Sequence, residues 1–323
     1  MSKATEKPIF IVGCPRSGTT ILAAILNAHP EIATATETHF FNYISKQKKY
    51  NWKNFTEKYF EMLLDESRIV DFFTLTKISK EDLRARFRAL KLSSDSEQNK
   101  KEVFSLLIEA LVEKKGKKLF CEKTPQHLQN VEEIIKLYPQ AKIINLIRDG
   151  RDAVNSLVKM PWRPDGLLNN SRFWQTYIKI GQNLEAKLDK QSFVTVKYED
   201  LLREPQEIIK KLCDFIGVEF IDSMITRDSK EEQGSENIFS DWESSWKHKS
   251  LEEIDSTRIG AWAKELDGED QLILNWHQAK ILKTLGYEAE KVQLKFNTQL
   301  KVGAEYIKLS SKKFLRLLSF AVN

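Results

Sequence analysis

Residues Pro8 to Pro30 read PIFIVGCPRSGTTILAAILNAHP. The run 8–13 is short, apolar and bounded by turn signals, the pattern of a buried parallel strand. Ser17 to Ala28 reads as a helix, with Ile21, Leu22, Ile25 and Leu26 on one face and a stop at Pro30. Between them, Gly13-Cys14-Pro15-Arg16-Ser17-Gly18-Thr19-Thr20 has the glycine spacing of a phosphate-binding loop, G-x-x-x-x-G. Backbone N–H groups from Ser17 onward converge at a helix N-terminus, an anion site by geometry and dipole. The lysine that serves a nucleotide's γ-phosphate is replaced by Thr19, which cannot neutralise that charge, and Arg16 supplies a cation instead. The plain alternative is a tight strand-to-helix turn that binds nothing.

Outward from this stretch, strands are expected at 32–35, 118–121, 141–147 (AKIINLI) and 193–197 (FVTVK). Helices are expected at about 126–138, 151–159 and across 201–216. Residues from about 40 to 116 are helical and aromatic-rich with no clear strand, and read as an insertion. Strands alternating with helices give βαβ units and a parallel sheet. The expected class is α/β, a three-layer αβα P-loop fold with a central parallel sheet and a helical insertion, in one domain over 1–323. The polar stretch from Asp228 to Ser250, with Trp242 and Trp246, reads as a flap.

The 323 residues are 41% hydrophobic and 30% charged, enough for a sizeable core and against disorder. A net charge of +5 suits an anionic small ligand as well as a nucleic acid and decides nothing alone. Charges of both signs alternate along the chain, which argues against a nucleic-acid surface. Cys14, Cys121 and Cys213 form no CxxC pair and read as reduced thiols, so the expected location is the cytoplasm. The histidines show no metal-site spacing. No signal peptide or run of about 20 apolar residues is seen.

A second constellation is KIINLIRDGRDAVNSL, Lys142 to Leu157. Arg148 falls at a strand's C-terminal end, where open parallel sheets bind ligands. Asp149 or Gly150 starts the next helix, and Ser156 lies near two turns into it. An arginine with a hydroxyl makes a phosphate clamp separate from the loop. Two anion sites imply a ligand with phosphate groups at two ends.

In these two motifs the chain resembles the sulfotransferases that use 3′-phosphoadenosine 5′-phosphosulfate (PAPS). Pro15–Thr20 resembles the family's 5′-phosphosulfate loop, and Arg148–Ser156 its 3′-phosphate motif. The resemblance runs from about Pro8 to Tyr287, outside the insertion, and is nearer the tyrosylprotein and bacterial branch than the cytosolic one, which has Lys in place of Arg16. It implies PAPS as co-substrate, 3′,5′-ADP as product and no metal. By resemblance, Arg16, Ser17, Gly18, Thr19, Thr20, Arg148, Ser156 and Tyr198 bind the cofactor, and Arg258, Gly260 and Trp262 fold over its 3′-phosphate side. Glu37 falls at the catalytic glutamate, and Lys123, in Cys121-Glu-Lys-Thr-Pro125, at the catalytic lysine. Arg16 joins Lys123 in stabilising the charge that builds on the bridging oxygen. His39 stands where that branch has a basic residue.

Each role has a plainer rival. Glu37 can cap a helix or pair with a cation, Lys123 can be a solvated strand-end lysine, and Tyr198 can simply pack. His39 and His127 are rival bases. The acceptor is expected to be a small molecule bound through its hydroxyl or amine, with His39, Phe40 and His127 as candidate contacts. The aromatics of the insertion, including Phe72 and Phe73, are otherwise core. Residues 301–323 read as a basic amphipathic helix that packs on the domain or a partner, or touches a membrane surface peripherally. A P-loop nucleotide or small-molecule kinase and a non-catalytic nucleotide-binding protein are the competing functions.

Overall fold

The computed structural model describes residues 3–34, 37–67, 69, 76–163, 165–226, 256–290 and 292–304. Phe72, Phe73, the expected flap and most of the expected C-terminal helix lie outside these. They divide into two compact units, Met1–Ile147 with Ile180–Asp255, and Arg148–Lys179 with Ser256–Asn323.

The first unit is built on a five-stranded parallel sheet in the order β2-β3-β1-β4-β5. Its strands are β1 (Ile9–Gly13), β2 (Ile32–Thr34), β3 (Leu119–Lys123), β4 (Lys142–Ile147) and β5 (Phe193–Lys197). β1 is buried throughout, because the middle strand of a parallel sheet is covered on both faces. Helix α1 (Thr19–Asn27) leaves β1 through the glycine-bracketed loop. It buries Ile21, Leu22, Ile25 and Leu26, the stripe expected from the sequence.

The insertion is helical: α2 (Glu57–Leu64), α3 (Lys80–Ala89) and α4 (Ser96–Lys114). Asp95 caps α4 by accepting from the Glu97 and Gln98 amides. Phe104 of α4 packs against Phe10 of β1, Phe40, Phe41 and Phe120. Phe40, expected to line an acceptor cleft, is fully buried in this cluster and belongs to the core. The segment expected as one helix over 126–138 is a 3₁₀ stretch, Pro125–Asn130, followed by α5 (Val131–Leu137).

In the second unit, α6 (Gly150–Leu157) follows Arg148 and Asp149, and α7 (Leu167–Lys187) belongs to it as far as Lys179. β5 leads to α8 (Tyr198–Arg203) and α9 (Pro205–Ile216) of the first unit. The second unit also holds α10 (Trp262–Glu265) and α11 (Gly268–Thr284). Leu168, Ile273, Leu294 and Val302 form an apolar cluster there. Residues 296–304 are helical, and 305–323 of the expected C-terminal helix lie outside the described residues. Among the described residues no helix is long and apolar enough to cross a membrane.

Candidate active site

The first unit carries the glycine-bracketed loop between β1 and α1. A Cβ on Gly13 would stand 2.3 Å from the carbonyl oxygen of Leu146, so only glycine lets β1 end this close to β4. Arg16 has φ +72° and Gly18 has φ +91°, both left-handed. A Cβ on Gly18 would lie 2.2 Å from Tyr198 Cδ2. The buried Tyr198 ring is therefore the floor of the loop, and holding the loop's shape is its visible role. Gly18 is the N-cap of α1 and offers no side-chain cap; the Ile21 amide bonds back to the Gly18 carbonyl, and the Thr19 and Thr20 amides of the first turn are the ones left to serve an anion. Ser17 Oγ is fully buried without a hydrogen-bond partner. An unmet buried hydroxyl costs about 1–3 kcal/mol, which an anion accepting its proton relieves. Left-handed backbone, uncapped amides and an unmet hydroxyl fit a phosphosulfate group.

Beside this loop's parent strand, β3 ends in Glu122 and Lys123. Lys123 is buried, and its Nζ donates to Glu37 Oε1 at 2.7 Å. Glu37 Oε2 lies 3.2 Å from His39 Nε2. Asn42 Nδ2 donates to His39 Nδ1 at 3.3 Å. With Asn42 as donor, His39 carries its proton on Nε2, the nitrogen that faces Glu37. The side chain of Glu37 keeps 16% of its surface exposed, against 2% for Lys123. The carboxylate is held beside Lys123 and His39 and stays partly exposed, an arrangement in which a general base can meet an acceptor hydroxyl.

His127 is excluded from acceptor contact. It is fully buried, its Nε2 accepts the Phe41 amide at 3.2 Å and its Nδ1 donates to Glu122 Oε2 at 3.0 Å. Neither nitrogen is left to take a proton from an acceptor.

The second unit carries the other anion motif. Asp149 caps α6 by accepting from the Arg151 amide at 2.8 Å. A Cβ on Gly150 would lie 2.4 Å from Gln278 Oε1 and 2.7 Å from the Trp174 ring, so the helix start is seated without room for a side chain. Trp174 Nε1 donates to the Arg148 carbonyl at 3.1 Å and fixes the backbone there. The mostly buried Arg148 guanidinium donates to the Arg258 carbonyl at 2.8 Å and faces Asp152 Oδ2 at 3.6 Å. Asp152 accepts the Gly260 amide at 2.8 Å and the Trp262 amide at 2.9 Å. Burial pushes the Asp152 carboxyl up, with Arg148 and the two amides pulling the other way. Arg151 pairs with Asp149 and lies over the Trp262 ring, 4.2 Å from its centroid. Arg148, Arg258, Gly260 and Trp262 are thus one hydrogen-bonded group in this unit, and Ser156 stands two turns along α6, partly exposed.

Sequence reading missed Asp152 and Glu122. Asp152 serves two backbone amides of a segment over a hundred residues away, and Glu122 serves Thr38, 84 residues away, relations that no local pattern displays. For Asp152 the available signal is its place four residues after Arg148, one helical turn on.

A parallel sheet with a lysine-free P-loop, and a separate arginine–serine motif after the neighbouring strand, define a protein of the P-loop sulfotransferase fold. The model of the sulfotransferase family matches residues 8–222, and the chain belongs to that PAPS-dependent family. It is 25% identical over 298 residues to protein-tyrosine sulfotransferase 2 of Gallus gallus, covering 87% of this chain and 69% of the relative. It is 30% identical over 226 residues to protein-tyrosine sulfotransferase 1 of Danio rerio, covering 67% of this chain and 55% of that protein. Among solved structures, the sulfotransferase domain from the curacin biosynthetic pathway aligns with a TM-score of 0.62 at 20% identity, over 88% of this chain and 99% of that domain. That likeness supports the fold. The chain spans little more than half the length of the zebrafish relative.

Proposed function

We propose that the chain transfers the sulfonate of PAPS to a phenolic hydroxyl and releases 3′,5′-ADP, with the cytoplasm as its location. In this account the loop from Arg16 to Thr20 takes the 5′-phosphosulfate, and Arg148 with Ser156 takes the 3′-phosphate. Glu37 accepts the acceptor's proton as its oxygen forms a bond to sulfur and the sulfur–oxygen bond to the phosphate breaks. Lys123 and Arg16 stabilise the negative charge on that leaving oxygen. The observation that carries the reading is the Glu37–Lys123 pair at 2.7 Å, which joins a base to a cation at the end of the strand next to the loop's own.

The relatives named protein-tyrosine sulfotransferases support a phenol as acceptor. A tyrosine in a peptide and a small phenol share that chemistry, and the small-molecule acceptor expected from the sequence is one arm of this proposal. A kinase reading is disfavoured by Thr19 in the lysine position.

Thermal stability with 3′,5′-ADP, 5′-ADP and 5′-AMP tests the cofactor. A ligand at a hundredfold excess over its Kd adds about 2.7 kcal/mol, a shift of several degrees. Stabilisation by 3′,5′-ADP well beyond 5′-ADP, lost in Arg148→Ala, is expected. Equal shifts from the two diphosphates contradict the reading.

A further inference from the structure

Four consecutive amides after Glu37 are bonded to Glu122 near the end of β3, to Thr124 and His127 beyond it, and to the hydroxyl of Thr38 itself. The Thr38 N–H donates to Glu122 Oε1 at 3.2 Å. The His39 N–H donates to Thr124 Oγ1 at 3.3 Å. The Phe40 N–H donates to Thr38 Oγ1 at 3.3 Å, and the Phe41 N–H to His127 Nε2 at 3.2 Å. All of these acceptors converge on one carboxylate. The Thr38 hydroxyl donates to Glu122 Oε1 at 2.9 Å, the Thr124 hydroxyl to the same oxygen at 2.6 Å, and His127 Nδ1 to Oε2 at 3.0 Å.

Glu122 is fully buried. A buried carboxylate persists only when its oxygens are filled by donors. Here one amide, two hydroxyls and one imidazole N–H fill them. Burial alone would raise the Glu122 carboxyl; the His127 ring and the hydroxyls of Thr124 and Thr38 outweigh it and hold the group below the usual carboxylate range. Successive side chains of a strand leave on opposite faces. Glu122 therefore takes the backbone that follows Glu37, while Lys123 takes the Glu37 side chain. His39, at φ +50°, is held in left-handed backbone within this strap, and its ring touches the other oxygen of Glu37.

We infer that Glu122, acting through Thr38, Thr124 and His127, is a positioning residue that sets where the Glu37 carboxylate stands relative to the reacting sulfur. The inference rests on Glu37 being the base of the proposed reaction. Misplacing a catalytic group by about 1 Å costs on the order of a hundredfold in rate, so loosening the strap should lower kcat without touching the nucleotide loop.

The conservative pair Thr38→Val and Thr38→Ser tests it. Valine keeps the shape and removes the hydroxyl that links Glu122 to the Phe40 amide, and serine keeps the hydroxyl. Two readouts are made on the full chain: amide hydrogen exchange across 37–42, and transfer of ³⁵S from PAPS to a tyrosine-containing peptide. Thr38→Val should exchange the strap amides at least tenfold faster and lose about 10- to 100-fold in kcat, with the KM for PAPS unchanged within twofold. Thr38→Ser should restore both. Faster exchange with wild-type kcat, or a loss shared equally by kcat and PAPS affinity, overturns the inference. So does rapid exchange of these amides in the wild-type chain, a result read without any acceptor. Failure of the functional reading shows differently, as no transfer by the wild-type chain.

Discussion

The Lys123 ammonium stands 2.7 Å from Glu37 Oε1, and the imidazole of His39 stands 3.2 Å from Glu37 Oε2. The carboxylate proposed as the base is thus oriented before any ligand enters. Because Lys123 is almost fully buried, its charge needs the carboxylate partner when the site is empty. Glu37→Gln keeps the shape and removes the proton acceptor. It should reduce kcat by about 10²–10⁴-fold while stabilisation by 3′,5′-ADP persists, measured by transfer kinetics beside thermal shifts. Loss of both together would make Glu37 a structural residue.

Ser17 gives a prediction of opposite sign for stability and binding. Its hydroxyl is buried and unmet. Ser17→Ala should leave the empty chain as stable as wild type or up to about 1 kcal/mol more stable, because an unpaid desolvation is removed. The same change should weaken 3′,5′-ADP binding about tenfold, a typical loss for one charge-assisted hydrogen bond. Denaturant unfolding with and without the nucleotide reads both effects.

Gly18 and Tyr198 should be coupled. Gly18→Ala places a methyl in left-handed backbone, at a cost of about 1–2 kcal/mol, and drives it into the Tyr198 ring. Tyr198→Ala makes room for the methyl and leaves the backbone strain. A double-mutant cycle on unfolding free energy should therefore show Gly18→Ala less harmful in the Tyr198→Ala background. Additive losses would mean the ring does not support the loop.

His277 of α11 makes the second unit acid-sensitive. Its Nδ1 lies 2.7 Å from the Ser171 hydroxyl, and Gln175 Nε2 donates to the His277 carbonyl at 2.9 Å. Burial, helped by Arg172, pulls its pKa down from 6.5 to about 4. Between those values the unfolded chain binds a proton that the folded chain refuses, so stability falls as pH drops from about 6.5 to about 4 and is fully present above that window. His277→Asn keeps an acceptor for Ser171 and removes the titration. It should flatten stability against pH across that window.

What the sequence disclosed depended on where a residue's partner lies. β1 and β4 were legible because their apolar runs are unbroken, and the loop because its glycines are spaced for it. β3 was expected two residues short, since its last residues, Glu122 and Lys123, are polar and yet buried. Part of the compensation comes from Thr38 for Glu122 and from Glu37 for Lys123, 84 and 86 positions away, a relation no local pattern carries. The long helices α7 and α11 went unread for the same reason. Asn170, Ser171 and Gln278 interrupt their buried faces, and hydrogen bonds such as Gln278 Nε2 to Ser171 Oγ satisfy them. Phe40 and His127 lie close to Glu37 in the chain or the fold and invite a substrate role, but both point into the core. The strand order and the two compact units, each drawn from two separate stretches, are long-range properties.

The most direct measurement is transfer of ³⁵S from PAPS, with product nucleotide followed in parallel, against a tyrosine-containing peptide and a small phenol. Labelled phenolic sulfate with one equivalent of 3′,5′-ADP, abolished in Glu37→Gln, is the predicted result. No label on either acceptor and no 3′,5′-ADP formed, while the γ-phosphate of ATP is transferred, would contradict the account.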